Sequence, residues 1–348
     1  MKSIRDLARC WMEQINIFEY SKPKYKIANR IRLIELFAGI GAQAKALEML
    51  GADFEHYRCI EWDKYAMASY NAVHGTNFET SDICKIHASD LGIVERERFT
   101  YIMTYSFPCQ DLSLAGKGRG MTKGEGTRSG LLWEVERLLD ECDGLPQVLL
   151  MENVPQVHGK KNLQDFQKWQ SKLSSLGYSN YCQDLNAKDY GIPQNRNRCF
   201  MVSILGDWFY EFPKPFPLKL RLKDMLEDKV DEKYYLSDAM LNYFIANNEM
   251  QKEKGNGFRF EPIKNSSEAI SKAVNTRNGE NMQDTFLCDI ERERERVSKA
   301  IKTAEGTRMT DNFVAISTEE QGNTNPIKYD PQTDCPEPWM RTTTSIRN

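Results

Sequence analysis

The sequence predicts an α/β fold: a doubly wound, mostly parallel sheet with helices on both faces, followed by a smaller irregular C-terminal domain. Three observations lead there. The run "IRLIELF" (31 to 37), the glycine turn "AGIGAQA" and the helical run "AKALEML" closed by Gly51 read as strand, tight turn and helix. Alternation of strand-like and helix-like runs continues to "RCFMVSIL" (198 to 205), the pattern of a parallel sheet with crossover helices. It stops at "DWFYEFPKPFP", where closely spaced prolines and several aromatic residues mark a boundary.

The elements follow in order. "DFEHYRCIEWD" (53 to 63) is the second strand, and "KYAMASYNAVHG" is a helix stopped by Gly75. A third strand is expected to end near Asp82 and Ile83. "RFTYIMTYSF" is the next strand, "LLWEVERLLDEC" an amphipathic helix, and "QVLLMENV" a short buried strand. In "LQDFQKWQSKLSSLGY", Leu163, Phe166, Trp169, Leu173 and Leu176 recur at helical spacing. Beyond residue 217 the chain is polar and weakly periodic, with a short echo between "GENMQDTFL" (279 to 287) and "GTRMTDNFV" (306 to 314). Two turn-plus-strand units explain that echo, and "ERERER" (291 to 296) reads as a solvated helix face. The division is 1–30 as an extension, 31–216 as the α/β domain and 217–348 as the second domain.

Bulk composition narrows the function classes. The 348 residues suffice for two domains. With 47 basic and 50 acidic residues, the net charge of -3 neither supports nor excludes nucleic acid. Nine cysteines lack any Cys-x-x-Cys pair, and the four histidines show no metal spacing, so neither a disulfide framework nor a metal site is expected. The thiols, with no leader-like start and no membrane-length apolar run, predict a cytoplasmic protein.

Four places carry chemistry. Gly39 and Gly41 follow the first strand, where glycines let a ligand approach the backbone at a helix N-terminus. Glu61, twenty positions after Gly41, is placed to accept from ribose hydroxyls; Trp62 is placed to stack on an adenine, and Asp82 to take its amino group. Alone, that loop also suits a dinucleotide. In "SFPCQ", Pro108 fixes the backbone and Cys109 stands at the carboxyl end of a strand, where open α/β sheets place ligands. Behind it, "LAGKGRGMTKGEGTRSG" reads as a mobile loop whose Lys117, Arg119, Lys123 and Arg128 suit phosphates. Glu152 and Asn153 close another strand. In "PQNRNR", just before a strand, Arg196 and Arg198 alternate with polar residues and share a face.

In this order, "ELFAGIG", "SFPCQ", "MENV" and "QNRNR" resemble the cofactor loop, nucleophile loop, acid motif and arginine motif of the DNA (cytosine-5)-methyltransferases. The resemblance spans roughly residues 31 to 205. It implies a Rossmann-like methyltransferase fold, S-adenosyl-L-methionine as cofactor, and methylation of carbon 5 of a flipped-out cytosine in double-stranded DNA. It makes Cys109 the nucleophile that adds at carbon 6. Glu152 contacts nitrogen 3 and the exocyclic amine, Arg198 reaches the base carbonyl, and Arg196 supports the loop. Pro108, Gln110, Asn153 and Gln194 then surround the base, while Phe37, Gly39, Gly41, Glu61, Trp62, Asp82 and Ile83 line the cofactor. Residues 217–348 become a target-recognition domain in a monomeric restriction-modification or orphan methylase, with a cognate restriction endonuclease as one partner.

One departure stands out. The family's late Gly-Asn pair with its apolar helix is not found: Gly322 and Asn323 precede Pro326 and a polar run. A truncated, poorly active relative, or a chain completed by a second C-terminal polypeptide, is the alternative expectation. A transfer-RNA cytosine methyltransferase, a non-catalytic binding module and a nicotinamide dehydrogenase stay open beside it.

Overall fold

A computed structural model describes residues 22–109, 112, 120–124, 127–226, 236–255, 260, 270–272, 286–289 and 296–299. Strand β1 (Arg30–Leu36) buries Ile31, Leu33, Ile34, Glu35 and Leu36, because a central parallel strand is covered on both faces and reads as an almost unbroken apolar run. It is followed by α1 (Ala42–Met49), β2 (Phe54–Ile60), α2 (Lys64–His74), a four-residue α3 (Ala88–Leu91) and β3 (Phe99–Tyr105). Then come α4 (Leu132–Glu141), β4 (Val148–Asn153), α5 (Leu163–Ser175), β5 (Tyr178–Asn186), β6 (Gln194–Asn195) and β7 (Asn197–Leu205).

Six of these strands form one sheet in the order β2-β1-β3-β4-β7-β5, and β2-β1-β3-β4 pair in parallel. The order reverses at β1: the chain passes to β2 on one side and then to β3 on the other. Loops leaving β1 and β3 therefore diverge and open a crevice at their carboxyl ends, the place where such sheets hold ligands. Both motif-bearing loops leave those two strand ends.

Apolar faces of the helices complete the core. Leu132, Trp133, Val135, Leu138 and Leu139 of α4 are buried, as are Phe166, Trp169 and Leu173 of α5. The fully buried Trp169 donates its indole N–H to the Tyr105 hydroxyl at 3.1 Å, so its polar atom is satisfied. Leu163, expected inward, is the first residue of α5 and stays exposed. Helix α2 starts at Asp63, whose carboxylate accepts the Tyr65 and Ala66 N–H groups, and stops at Gly75 in the left-handed conformation (φ 63°).

Three expectations change. No strand ends near Asp82: residues 75–87 run as turns, and their polar sequence lacks the alternation a ladder needs. Strand β5 was not expected, because as a half-exposed edge strand it carries a polar sequence. Nor was the two-residue β6 expected; Arg196 falls between it and β7.

The chain divides into two compact units: Met1–Cys182 with Phe200–Glu211 and Ala315–Asn348, and Gln183–Cys199 with Phe212–Val314. In the second, β6 pairs in parallel with β8 (Ser271–Lys272), and the Tyr190 ring meets Phe216 edge-on at 6.1 Å. An unexpected 16-residue helix, α6 (Asp238–Glu253), is capped by the Ser237 hydroxyl and packs around Leu236, Phe244 and Phe260. Strands β9 (Phe286–Asp289) and β10 (Arg296–Lys299) pair antiparallel, with Asp289 opposite Arg296. Arg296 thus stands in a strand rather than on the expected helix face; residues 291–295 lie outside the described residues. So do most of the first echo copy, the whole of the second, and Gly322 and Asn323. No helix among the described residues is long and apolar enough to cross a membrane.

Candidate active site

At the end of β1 the backbone turns through three left-handed residues, Phe37 (φ 58°), Gly39 (φ 58°) and Gly41 (φ 78°). For Phe37 that conformation costs roughly 1–2 kcal/mol. Fixed contacts hold it there: the Phe37 and Ala38 N–H groups donate to the Ile60 carbonyl at 2.8 and 3.3 Å. The Gly39 N–H donates to Glu61 Oε2 at 2.9 Å, and Glu61 Oε1 accepts from the Asp63 N–H at 2.9 Å. Glu61 is 8 % exposed, so its carboxylate ties the ends of β1 and β2 together.

The two glycines answer to different demands. A Cβ on Gly39 would meet nothing within 4 Å, which leaves its backbone open to a ligand. A Cβ on Gly41 would lie 2.3 Å from His74 Nε2 and 2.7 Å from the Tyr70 ring. On its Cβ side Gly41 is packed, and its N–H donates to the Ala38 carbonyl at 2.9 Å.

Trp62 is 75 % exposed, so its indole is a free face rather than core. Asp82 and Ile83 come alongside because the Ser81 N–H donates to the Glu61 carbonyl at 2.8 Å. Asp82 caps the Cys84 N–H, and buried Ile83 is fastened through its carbonyl to Arg137 on α4 at 2.9 Å. Through Glu61 the Trp62 and Asp82 segments are thus tied to the β1 loop at Gly39.

The loop after β3 is held differently. Gln43 donates to the Ser106 hydroxyl at 3.1 Å, Asn153 to the Phe107 carbonyl at 3.0 Å, and Ser129 to the Pro108 carbonyl at 2.7 Å. Phe107 plugs the core, and Cys109, one residue past Pro108, is half-buried at the mouth. By contrast, burial pushes the Cys142 thiol up to about 11 and the Cys59 thiol higher still, so both stay protonated. Along β4 the side chains alternate, with Met151 and Asn153 buried and Glu152 half-buried on the opposite face. Asn153 donates to the Phe107 carbonyl and accepts from the Val154 N–H, so its amide holds the loop after β3.

Gln110, Lys117 and Arg119 lie outside the described residues. The following stretch was expected to be a mobile loop. Its described part is packed: Met121 and Ser129 are buried, the Trp133 indole donates to the Met121 carbonyl at 2.7 Å, and Lys123 pairs with Glu136. Glycine there permits a tight path over α4.

Gln194, Arg196 and Arg198 belong to the second unit. Their segment is drawn around Asn186, whose Oδ1 accepts the Arg196 N–H at 3.0 Å while the Arg196 carbonyl accepts the Ala187 N–H at 3.0 Å. Gln194 pairs with Ser271 across β6 and β8, and Arg198 Nη1 donates to the Asn197 carbonyl at 2.7 Å.

Sequence spacing gave no sign of a cluster beside the β1 loop. His74 Nδ1 lies 2.7 Å from Glu48 Oε1, and His56 Nε2 lies 3.7 Å from the same oxygen. His74 Nε2 lies 3.1 Å from the Ile40 carbonyl oxygen. These residues sit on α1, β2 and α2, so only the crossover connections bring them together. Deeper in, the Tyr70 hydroxyl donates to Glu35 Oε2 at 2.5 Å, and burial keeps the Glu35 carboxyl above its usual range despite that bond.

Comparison with known proteins gives one direction throughout. Residues 31–331 match the family model described as C-5 cytosine-specific DNA methylase. The orphan methyltransferase M.SssI of Spiroplasma monobiae is 38% identical over 282 residues, covering 65% of this chain and 72% of that protein. The type II methyltransferase M2.ScrFI of Lactococcus lactis subsp. cremoris is 33% identical over 260 residues, covering 61% and 72%. Among solved structures, the Dnmt2 methyltransferase of S. pombe superposes with a TM-score of 0.58 at 21% identity, covering 76% of this chain and 78% of that one, a likeness of fold.

Proposed function

This chain belongs to the C-5 cytosine-specific DNA methylase family, and from that premise we propose which of its residues carry methyl transfer to carbon 5 of cytosine in DNA. S-adenosyl-L-methionine supplies, when bound, an electrophilic methyl group on a sulfonium. The residues fit it: Gly39 leaves an open backbone, Glu61 keeps carboxylate lone pairs at the rim, and the exposed Trp62 offers a stacking face. Phe37, Asp82 and Ile83 complete that wall, with Asp82 toward the adenine amino group.

The Cys109 thiolate adds to carbon 6 of the flipped cytosine, forming a carbon–sulfur bond and turning the ring into an enamine. Carbon 5 then takes the methyl group, carbon 5 loses its proton, and the thiolate leaves as the double bond returns. Glu152 offsets charge that develops at nitrogen 3 and the exocyclic amine. Arg198 reaches the base carbonyl, Arg196 and Gln194 shape that segment, and Pro108 and Gln110 flank the base. Asn153 is assigned to holding the Phe107 carbonyl rather than to touching the base. Flipping the target costs roughly a few kcal/mol, offset by contacts in the pocket.

Residues 31–216 are assigned to cofactor binding and catalysis, and residues from 217 onward to reading the DNA. The chain acts as a cytoplasmic monomer, either beside a cognate restriction endonuclease or as an orphan methylase.

The carrying observation is that Cys109 is fastened at the carboxyl end of β3, next to the β1 loop, where the strand order reverses. The test is methyl transfer from labelled S-adenosyl-L-methionine to mixed-sequence duplex, with bisulfite sequencing of DNA from expressing cells. Incorporation at carbon 5 of cytosine that disappears in Cys109→Ser supports the assignment; label retained by the serine variant overturns it.

A further inference from the structure

The His74 ring is wholly buried, and both its nitrogens face oxygens that only accept: Glu48 Oε1 at 2.7 Å and the Ile40 carbonyl at 3.1 Å. A neutral imidazole has one N–H, so it can satisfy only one of them. The imidazolium satisfies both, and leaving either unmade in a buried place is costly. His74 also ends α2, where the helix dipole favours a cation.

The neighbouring groups agree. Burial alone would raise the Glu48 carboxyl, but Lys45 and His74 outweigh it and hold it below its usual range, so it is an anion. His56 is held below its usual range, first by burial and then by its neighbour His74. The Tyr70 hydroxyl lies between His56 Nδ1, at 2.8 Å, and the Glu35 carboxylate.

A proton fits this spacing better than a metal. Two ligands of a tetrahedral zinc stand about 3.3 Å apart, wider than the 2.7 Å between Glu48 and His74.

We propose that His74 is a positioning residue for the cofactor loop: clamped by Glu48, its second N–H fixes the Ile40 carbonyl and thereby the turn that presents Gly39. Gly41 is part of the device, since any side chain there would drive the ring off Ile40. This rests on the reading that the Phe37–Gly41 loop holds S-adenosyl-L-methionine.

Two substitutions separate positioning from mere packing. Asn in place of His74 puts an amide N–H near the Nδ1 position and keeps Glu48; Gln puts one near the Nε2 position and keeps Ile40. With the full chain, cofactor Kd is read by calorimetry, KM and kcat by methyl transfer, and folding by thermal melting. His74→Asn is expected to raise Kd and KM about tenfold with kcat within about twofold, and His74→Gln to stay within about threefold of the parent. Glu48→Gln, which keeps shape and removes the charge, should shift KM in the same direction as His74→Asn.

Equal effects of Asn and Gln, large or absent, overturn the proposal. Gly39→Val serves as the control. If it weakens cofactor binding while the His74 variants do not, positioning alone fails; if it too has no effect, the reading of the loop itself fails. One equivalent of zinc held by the purified protein and lost in His56→Ala would put a metal where the proton is placed, and overturn the clamp.

Discussion

The loops after β1 and β3 leave neighbouring strands at the same edge of one sheet, but different chemistry holds them. The β1 loop has three left-handed residues and is fastened by ionisable side chains, Glu61 on the Gly39 N–H and His74 on the Ile40 carbonyl. The first residues of the β3 loop, 106–109, have no left-handed member, and neutral donors, Gln43, Asn153 and Ser129, take their oxygens one after another. Charge-assisted bonds are about twice as strong as neutral ones, and they sit where the backbone is strained. The side-chain fastenings stop at Pro108; Cys109 is held through its carbonyl, which accepts the Leu112 N–H at 3.0 Å.

That contrast sets a ranking of effects. Cys109→Ser should lower turnover by at least about a thousandfold while the melting temperature stays put, because a hydroxyl is a far weaker nucleophile than a thiolate; both are read on one preparation. Asn153→Leu comes next. It leaves the Phe107 carbonyl without its donor in a buried place, so stability should fall by about 1–3 kcal/mol, read by denaturant unfolding, with kcat falling more than cofactor affinity. In the charged loop the order reverses: Glu61→Ala should weaken S-adenosyl-L-methionine binding about tenfold or more, while DNA binding measured by anisotropy stays near the parent value. Were both loops to respond alike in these two parameters, the division of labour between them would be wrong.

The smallest expected effect is in pH dependence. Burial raises the Glu35 carboxyl above 4.5, with Tyr70 and Ala44 opposing. Its contribution is therefore fully present below the ordinary glutamate range and is lost as pH rises through the raised value. Glu35→Gln should flatten the stability profile from about pH 4.5 upward; a profile with unchanged slope would deny the burial effect.

How much the sequence disclosed follows from how each feature is encoded. Strands β1 and β3 were readable because burial on both faces demands an apolar run, and Cys109 and Glu61 because they stand at strand ends beside proline, glycine and tryptophan. Strand β5 was not, since an edge strand in water can carry "YSNYCQDLN" without penalty. Helix α6 was missed because its small cluster needs only Leu236, Phe244 and Phe260, too few to set a period. His74 was invisible for another reason: its partners, Glu48 and Ile40, are distant in sequence and meet it only through the crossover. The packing of His74 against Gly41 was hidden for the same cause.

Helix α2 has a further consequence. Just before its first turn, Glu61 grips the Gly39 N–H; at its last residue, His74 grips the Ile40 carbonyl. Helix and turn therefore close a ring in which neither end can open without straining the other, the arrangement expected of a single cooperative opening unit. Amide hydrogen exchange should report it as one event. Gly39 and the interior amides of Lys64–His74 should share an opening free energy and gain protection together when cofactor binds, although most of that helix lies away from the rim.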